Sequence, residues 1–401
     1  MADFNSIIPR RNTDSVKWDV KDNELPMWVA DMDFKTAPEI IAAMQKKVAF
    51  GVFGYEEPHE NLFNAVADWY QRQHHARPRT AWMLFCTGVV PAISSAVRRV
   101  SHVGDNVVVS APVYNIFYNS IVNNGRHVLS SDLVYDADTH QYSVDWADLE
   151  AKLAEPLSTM MILCNPHNPV GKVWSRDDLI RISKLCIKHH VTLLSDEIHG
   201  DLVVGDPQYT PIFSLPEDLI QQTIVCVSPS KTFNVAALHA ATVIVPNDNL
   251  RQIVNRGINT DELGEPNLLA IPGTIAAYTH GDRWLSELKA HISQNRATLT
   301  DFCKENLPQI HVVSSNATYL VWVDCSEITH NSDELEAYIR QETGLYVSAG
   351  TVYGGNGNQF LRINIACPAS MLADGLQRLK QGIQAYQAKT EKYGSNPDQP
   401  N

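Results

Sequence analysis

The sequence predicts an α/β fold, with a mainly parallel seven-stranded sheet in a large domain and a smaller α+β domain after it. Three observations predict it. Seven short apolar runs lie between residues 80 and 245, each the length of a buried strand. The segments between them carry helical periodicity, and this alternation is the mark of parallel strands joined by covering helices. Beyond residue 281 the rhythm changes, and strands and helices recur at longer intervals.

The elements follow in chain order. The first 45 residues carry no strong sheet pattern and are expected to pack with the smaller domain. A helix is predicted from about His59 to His75. The strand-like runs are Met83 to Cys86, Asn106 to Ser110, His127 to Leu129, Met160 to Cys164, Val191 to Ser195, Ile224 to Val227 and Ala241 to Val245. Their unbroken apolar character suits strands buried on both faces. Pro91 to Val103 and Arg176 to His190 read as covering helices, with Pro91 at the first helical position. The stretch 266–306 is helical, and its interior Gly273 and Gly281 divide it, leaving Asp282 to Asn306 as the last piece. Residues 312–324 read as a strand, 332–343 as a helix, 359–365 as a strand and 368–387 as a helix. The expected division is an N-terminal segment 1–45, a large domain 46–281, a small domain 282–389 and a polar tail 390–401 that frays.

Composition narrows the function classes. With 44% hydrophobic and 19% charged residues, the 401-residue chain can bury a large core. A formal charge of −13 argues against a nucleic-acid or anionic-membrane partner. The seven cysteines form no Cys-x-x-Cys pair and several sit in apolar runs. They read as buried, reduced residues of a soluble cytoplasmic protein. The N-terminus lacks a basic start and an apolar core segment, and no run reaches membrane-spanning length. None of the fifteen histidines shows ligand spacing, and His74-His75 and His189-His190 read as helix ends, so no metal site is expected.

The chemistry is concentrated at strand ends. Ser228-Pro229-Ser230-Lys231 follows one apolar run, and Asp196-Glu197-Ile198-His199 closes another. Alone, Lys231 reads as a solvated surface lysine and Asp196 as a helix cap. Together they offer an amine flanked by hydroxyls, and a carboxylate. Pyridoxal 5′-phosphate (PLP) needs such a set: an amine for its aldehyde, an acid for its ring nitrogen, and hydroxyl and backbone donors for its phosphate. Asn165-Pro166-His167-Asn168-Pro169 follows the Met160 run, and its two X-Pro steps hold Asn168 in an extended turn. The Asn168 amide can serve the cofactor's phenolic oxygen and a substrate carboxylate. Thr87-Gly88-Val89 joins a strand to a helix and can cradle a phosphate on backbone N–H groups. Tyr114, after the next strand, can stack on the pyridine ring. Arg362 lies mid-strand in Gln359-Phe360-Leu361-Arg362-Ile363-Asn364-Ile365, where a cation is costly unless it meets an anion. A clamp on a substrate α-carboxylate is the first reading, and an internal ion pair the second.

In this order, Asn-Pro-x-Asn-Pro-x-Gly, Asp-Glu, Ser-x-Ser-Lys and Arg-x-Asn resemble the fold-type-I PLP enzymes of the class I/II aminotransferase superfamily, over nearly the whole chain. More narrowly, Trp28-Val29-Ala30-Asp31-Met32-Asp33-Phe34, Phe53-Gly54-Tyr55 and Asp196-Glu197-Ile198-His199-Gly200-Asp201 resemble the MalY/PatB-type cystathionine β-lyases, or C–S lyases. The resemblance implies that Lys231 carries PLP as a Schiff base and removes the substrate's Cα proton. It implies that Asp196 pairs with the ring nitrogen, that Asn168 and His199 lie near the phenolic oxygen, and that Tyr114 stacks on the ring. Gly88, Val89, Ser228 and Ser230 would hold the phosphate, Tyr55 would reach it from a partner subunit in a homodimer, and Arg362 would bind the substrate. The implied activity is α,β-elimination on sulfur amino acids. A plain aminotransferase and a PLP-holding regulatory protein are the alternatives. One departure stands out: the general aminotransferase pattern has an arginine eight residues after the lysine, and here that position is His239. Its absence fits the lyase branch and leaves the phosphate site less defined. Asp31 and Asp33, between aromatic residues, suit a lip of the active site.

Overall fold

Burial on both faces organises the centre of the molecule. The computed structural model describes residues 2–394, with side chains through residue 390. The seven apolar runs form strands of one sheet: β1 (Met83–Cys86), β2 (Asn106–Val109), β3 (His127–Ser130), β4 (Ser158–Cys164), β5 (Thr192–Asp196), β6 (Thr223–Val227) and β7 (Ala241–Ile244). Their spatial order is β1-β7-β6-β5-β4-β2-β3. Neighbours from β6 to β3 are parallel, whereas β7 runs antiparallel to both β6 and β1. Every residue of β6 is buried, as expected of a strand covered on both sides. The chain is thus a mainly parallel α/β fold.

The covering helices begin where the local chemistry places them. Arg176–Lys188 starts with a capping box: the Ser175 hydroxyl accepts from Asp178 N at 3.0 Å, and the Asp178 carboxylate accepts from Ser175 N at 3.3 Å. The helix after β1 runs Val89–Val100, so it opens two residues before Pro91. Proline is tolerated there because the first N–H groups of a helix have no intrahelical partner.

Strand register sets up the site. Cys164 pairs with Asp196, and Asp196 with Cys226. The carboxyl ends of β4, β5 and β6 therefore lie side by side, and the segments bearing Asn168, Asp196 and Lys231 leave the sheet along one edge. In open α/β sheets that edge is where ligands bind.

The smaller unit is a four-stranded antiparallel sheet of β8 (His311–Val312), β9 (Leu320–Asp324), β10 (Ser348–Ala349) and β11 (Phe360–Asn364), in the order β8-β9-β11-β10. The single strand expected over 312–324 is broken. Between β8 and β9, Ser314 N donates to His140 O and Thr318 N to Leu202 O, and Thr318 adopts a positive φ of 65°. That stretch spends its backbone hydrogen bonds on the large unit instead of the small sheet. A hairpin of Leu133–Asp136 and Gln141–Val144, unforeseen in the sequence, stands beside it. The last helix runs Ala369–Gly394, so 390–394 continue the helix that was expected to end as a frayed tail. Residues 395–401 lie outside the described residues. At the other terminus, Leu25–Pro26 pairs in parallel with Leu345–Tyr346, while the helix Pro38–Ala49 packs against Ala270–His280. A large apolar core joins these parts, with Trp69, Trp174 and Trp322 fully buried in it, and a second cluster with Val107, Ile162, Leu194 and Ile224 fills the other face of the central sheet.

Candidate active site

The loops leaving β1, β4, β5 and β6 meet strand β11 around a cavity of about 700 Å³. Asn168, Asp196, His199, Lys231 and Arg362 all line it. They come from four separate stretches of chain, brought together by the register above.

Asp196 ends β5 and is buried. Its carboxylate accepts from Ile198 N at 3.1 Å and forms no ion pair among the described residues. Burial pushes its pKa up to about 7, against the pull of Lys231. The Lys231 ammonium donates to Ala30 O at 2.6 Å. Burial first, and then the Arg362 charge, hold the amine down to about 8. His199 is buried, its Nδ1 has no partner, and burial pushes the ring down to about 3. Tyr114 lines the cavity, packed edge-on against Phe117, with burial and then Asp196 raising its hydroxyl to about 12.

Arg362 is only 5% exposed and has no carboxylate partner among the described residues. It donates from Nη1 to Asn168 Oδ1 at 3.1 Å and from Nη2 to Trp28 O at 2.8 Å. Its guanidinium lies over the Tyr353 ring at 4.9 Å, and its buried Nε has no hydrogen-bond partner. A buried cation whose hydrogen-bond acceptors are all neutral is poised for an anion. Among the described residues, the internal ion pair considered for Arg362 is not formed.

At another side of the cavity, Gly88 precedes the helix Val89–Val100. A Cβ there would stand 3.1 Å from Pro91 Cδ, so the tight turn leaves little room for any side chain. Val89, Ser228 and Ser230 line this part. The Ser228 hydroxyl donates to Ala240 O at 2.7 Å and accepts from Ser230 N at 3.1 Å, fixing the loop before Lys231. His239 also lines the cavity and is exposed. Tyr55 does not reach the cavity of its own chain. It is 98% exposed, near Phe50, Val52 and Phe53, which are also exposed.

Two features escaped the sequence. Asp201 is buried and accepts from Trp69 Nε1 at 3.0 Å and from the Thr232 hydroxyl at 2.8 Å, with His74 Nε2 at 2.7 Å. It ties the lysine loop to the helix Glu60–His74. Its place in Asp196-Glu197-Ile198-His199-Gly200-Asp201 was visible, but not its partners. The carbonyls of Trp28 and Ala30 also hold Arg362 and Lys231. No sequence signal marks them, because every residue has a carbonyl. The lip expected around Asp31 and Asp33 is formed instead by Trp28, Val29 and Ala30. Asp31 and Asp33 turn away to Arg10, at 2.8 and 3.1 Å, and Asp33 also meets Lys17 at 2.7 Å, because the nearly buried Lys17 needs a counter-charge.

Comparison with known proteins gives the chain a family. The chain is 39% identical over 381 residues to "Cystathionine beta-lyase PatB" of Bacillus subtilis, covering 93% of this chain and 98% of that one. It is 32% identical to "Protein MalY" of Escherichia coli, covering 96% and 100%. Among solved structures, cystalysin from Treponema denticola, which contains pyridoxal 5′-phosphate, superposes with a TM-score of 0.92 at 31% identity, covering 96% of this chain and 99% of that one. A PLP-bound putative aminotransferase from Clostridium difficile also gives 0.92, at 33% identity and with 96% and 100% coverage. Residues 25–379 match the sequence pattern of aminotransferases of class I and II, and the chain belongs to that family.

Proposed function

We propose that the protein is a PLP-dependent carbon–sulfur lyase that converts S-substituted cysteines such as cystathionine to pyruvate, ammonia and a thiol. The observation that carries the reading is Arg362, a buried cation without an acid partner, sharing a cavity with an amine of lowered pKa and a buried acid. The relatives named cystathionine β-lyase support it.

The residues present fit PLP. Lys231 would hold its aldehyde carbon and Asp196 its ring nitrogen, with Asn168 and the unpartnered His199 Nδ1 near its phenolic oxygen. Tyr114 would lie against the ring. Gly88, Val89, Ser228 and Ser230 would take the phosphate, together with Tyr55 of the partner subunit. When bound, PLP supplies the electron sink that makes an amino acid's Cα proton removable.

The chain's own groups do the rest. Arg362 and Asn168 grip the substrate carboxylate and so fix the direction of the Cα–H bond. Displaced from the aldehyde carbon by the incoming substrate amine, the freed Lys231 amine, with a pKa near 8, would be neutral often enough near pH 7 to take that proton. Asp196 would remain anionic beside a protonated ring nitrogen, since an opposite charge offsets the cost of burial. Trp28, Val29 and Ala30 line one side of the cavity. As the Cα proton leaves, the electron pair expels the thiolate from Cβ. The released aminoacrylate takes up water, giving pyruvate and ammonia. An aminotransferase shares the proton abstraction but exchanges the amino group with a keto acid. The absence of an arginine at His239 favours the lyase. The test is product balance: pyruvate and thiol should appear in equal amounts from cystathionine without an added keto acid. Turnover that depends on a keto acid and releases no thiol would return the protein to the aminotransferases.

Three further outcomes follow. Arg362→Ala should retain PLP but raise KM for amino acid substrates about ten- to hundredfold, the range for lost charge-assisted hydrogen bonds. Unchanged KM would remove Arg362 from substrate binding. Second, PLP uptake by the apoprotein, followed by absorbance, should speed up about tenfold per pH unit below 8 and level off above it, because only the neutral amine attacks the aldehyde. A rise continuing past pH 10 would show an ordinary lysine.

The third concerns assembly. The exposed apolar segment with Phe50, Val52, Phe53 and Tyr55 supports a homodimer with shared sites, since twofold symmetry is the commonest arrangement of soluble oligomers. Mixing inactive Lys231→Ala with impaired Tyr55→Ala subunits should then restore activity, because each hybrid holds one intact site. A fully exchanged mixture that stayed inactive would sink the shared site. A cytoplasmic location belongs to the same proposal and is supported by seven free, buried cysteines. No helix among the described residues is long and apolar enough to cross a membrane.

A further inference from the structure

The small unit contributes a wall to the cavity that the proposed chemistry leaves unused. The helix Ser332–Thr343 opens onto the cavity, and Asp333 and Glu336, one turn apart on one face, both line it. The Asp333 carboxylate accepts from the Thr351 hydroxyl at 2.6 Å. Glu336 is different. It is half-buried, and its Oε1 is shut off from solvent with no hydrogen-bond partner.

The cation that could neutralise it is engaged elsewhere. Arg340, one turn further along the helix, gives Nε and Nη2 to Glu24 at 2.8 and 3.0 Å. Its guanidinium also lies 3.6 Å over the Tyr346 ring. No lysine or arginine forms an ion pair with Glu336 among the described residues. Burial accordingly pushes its carboxyl up to about 7, with Asp333 and Glu24 adding to the rise and Arg340 opposing it.

The same cavity holds Arg362, whose buried Nε is also without a partner. One wall thus presents a fixed cation and another presents two carboxylates. A matching ligand carries an anion at one end and a cation at a distance from it. The α-carboxylate fills the first place. The second suits an ammonium on the group beyond sulfur, as in the departing halves of cystathionine and cystine.

We propose that Glu336, assisted by Asp333, is a specificity-determining residue that selects S-substituted cysteines bearing an ammonium on the departing thiol. The inference rests on the lyase reading and deepens it. A charge-assisted contact in place of an uncompensated carboxylate favours such a substrate.

The test compares kcat/KM of the holoenzyme for S-(2-aminoethyl)-cysteine, S-propyl-cysteine and S-(2-carboxyethyl)-cysteine, whose departing chains are cationic, neutral and anionic. The cationic substrate should exceed the neutral one by about tenfold or more. Glu336→Gln, which keeps the shape and removes the charge, should bring that ratio down by a similar factor. Glu336→Lys should shift the preference toward the carboxyethyl substrate, an inversion that a merely damaged fold would not give. Wild-type enzyme that prefers the propyl substrate, or a ratio unchanged in Glu336→Gln, would overturn the inference while leaving the lyase reading in place. Failure of all three substrates to yield pyruvate would overturn both.

Discussion

Lys231→Ala is expected to abolish steady turnover, a loss on the order of 10³-fold or more, because in the proposed mechanism one amine serves as cofactor attachment and as base. The loss should be chemical rather than structural. Among the described residues the Lys231 side chain makes a single hydrogen bond, to Ala30 O, and Thr232 and Ser228 hold its loop independently. The variant should therefore fold and melt close to the parent in the absence of cofactor. Steady-state pyruvate release checks the claim, and activity within tenfold of the parent would show that another group removes the proton.

Asp196→Asn should lower kcat by about 10²-fold, as is typical when a preorganised electrostatic partner is removed. Its effect on the fold runs the other way. The folded pKa of Asp196, about 7, lies above the ordinary carboxylate value, because burial disfavours the anion. Folding without cofactor then favours the protonated form, and stability contributed by this group falls as pH rises from about 4 to 7. An asparagine cannot ionise and escapes that penalty. The Asp196→Asn apoprotein should be at least as stable as the parent at pH 8, while its holoenzyme turns over slowly. Near-normal kcat would end the proposed role. A large loss of apoprotein stability would mean that Asp196 supports the fold instead.

The central sheet was legible because buried parallel strands announce themselves as unbroken apolar runs, and β6, with five buried residues, is the clearest case. The direction of β7 was not legible, since an apolar run carries no sign of parallel or antiparallel pairing. The Leu133–Asp136 hairpin was missed because its strands are short and partly exposed. Chemistry at the strand ends could be read where it depends on rare side chains in a fixed order: Asn168, Asp196, Lys231 and Arg362 line one cavity. What could not be read depends on partners distant in sequence. Asp201 matters through Trp69, His74 and Thr232, and Glu336 through the prior engagement of Arg340 by Glu24. Tyr55 shows the same limit: it is exposed and does not line the cavity of its own chain, and nothing in its sequence neighbourhood marks the partner subunit that the proposed homodimer would supply.

The most direct test of the account is to trap the cofactor on the protein. Holoprotein reduced with borohydride, digested and analysed by mass spectrometry should carry the pyridoxyl phosphate mass on the peptide containing Lys231 and on no other. An adduct on a different lysine, or an active protein that yields no adduct, would contradict the claim that this cavity performs PLP chemistry through Lys231.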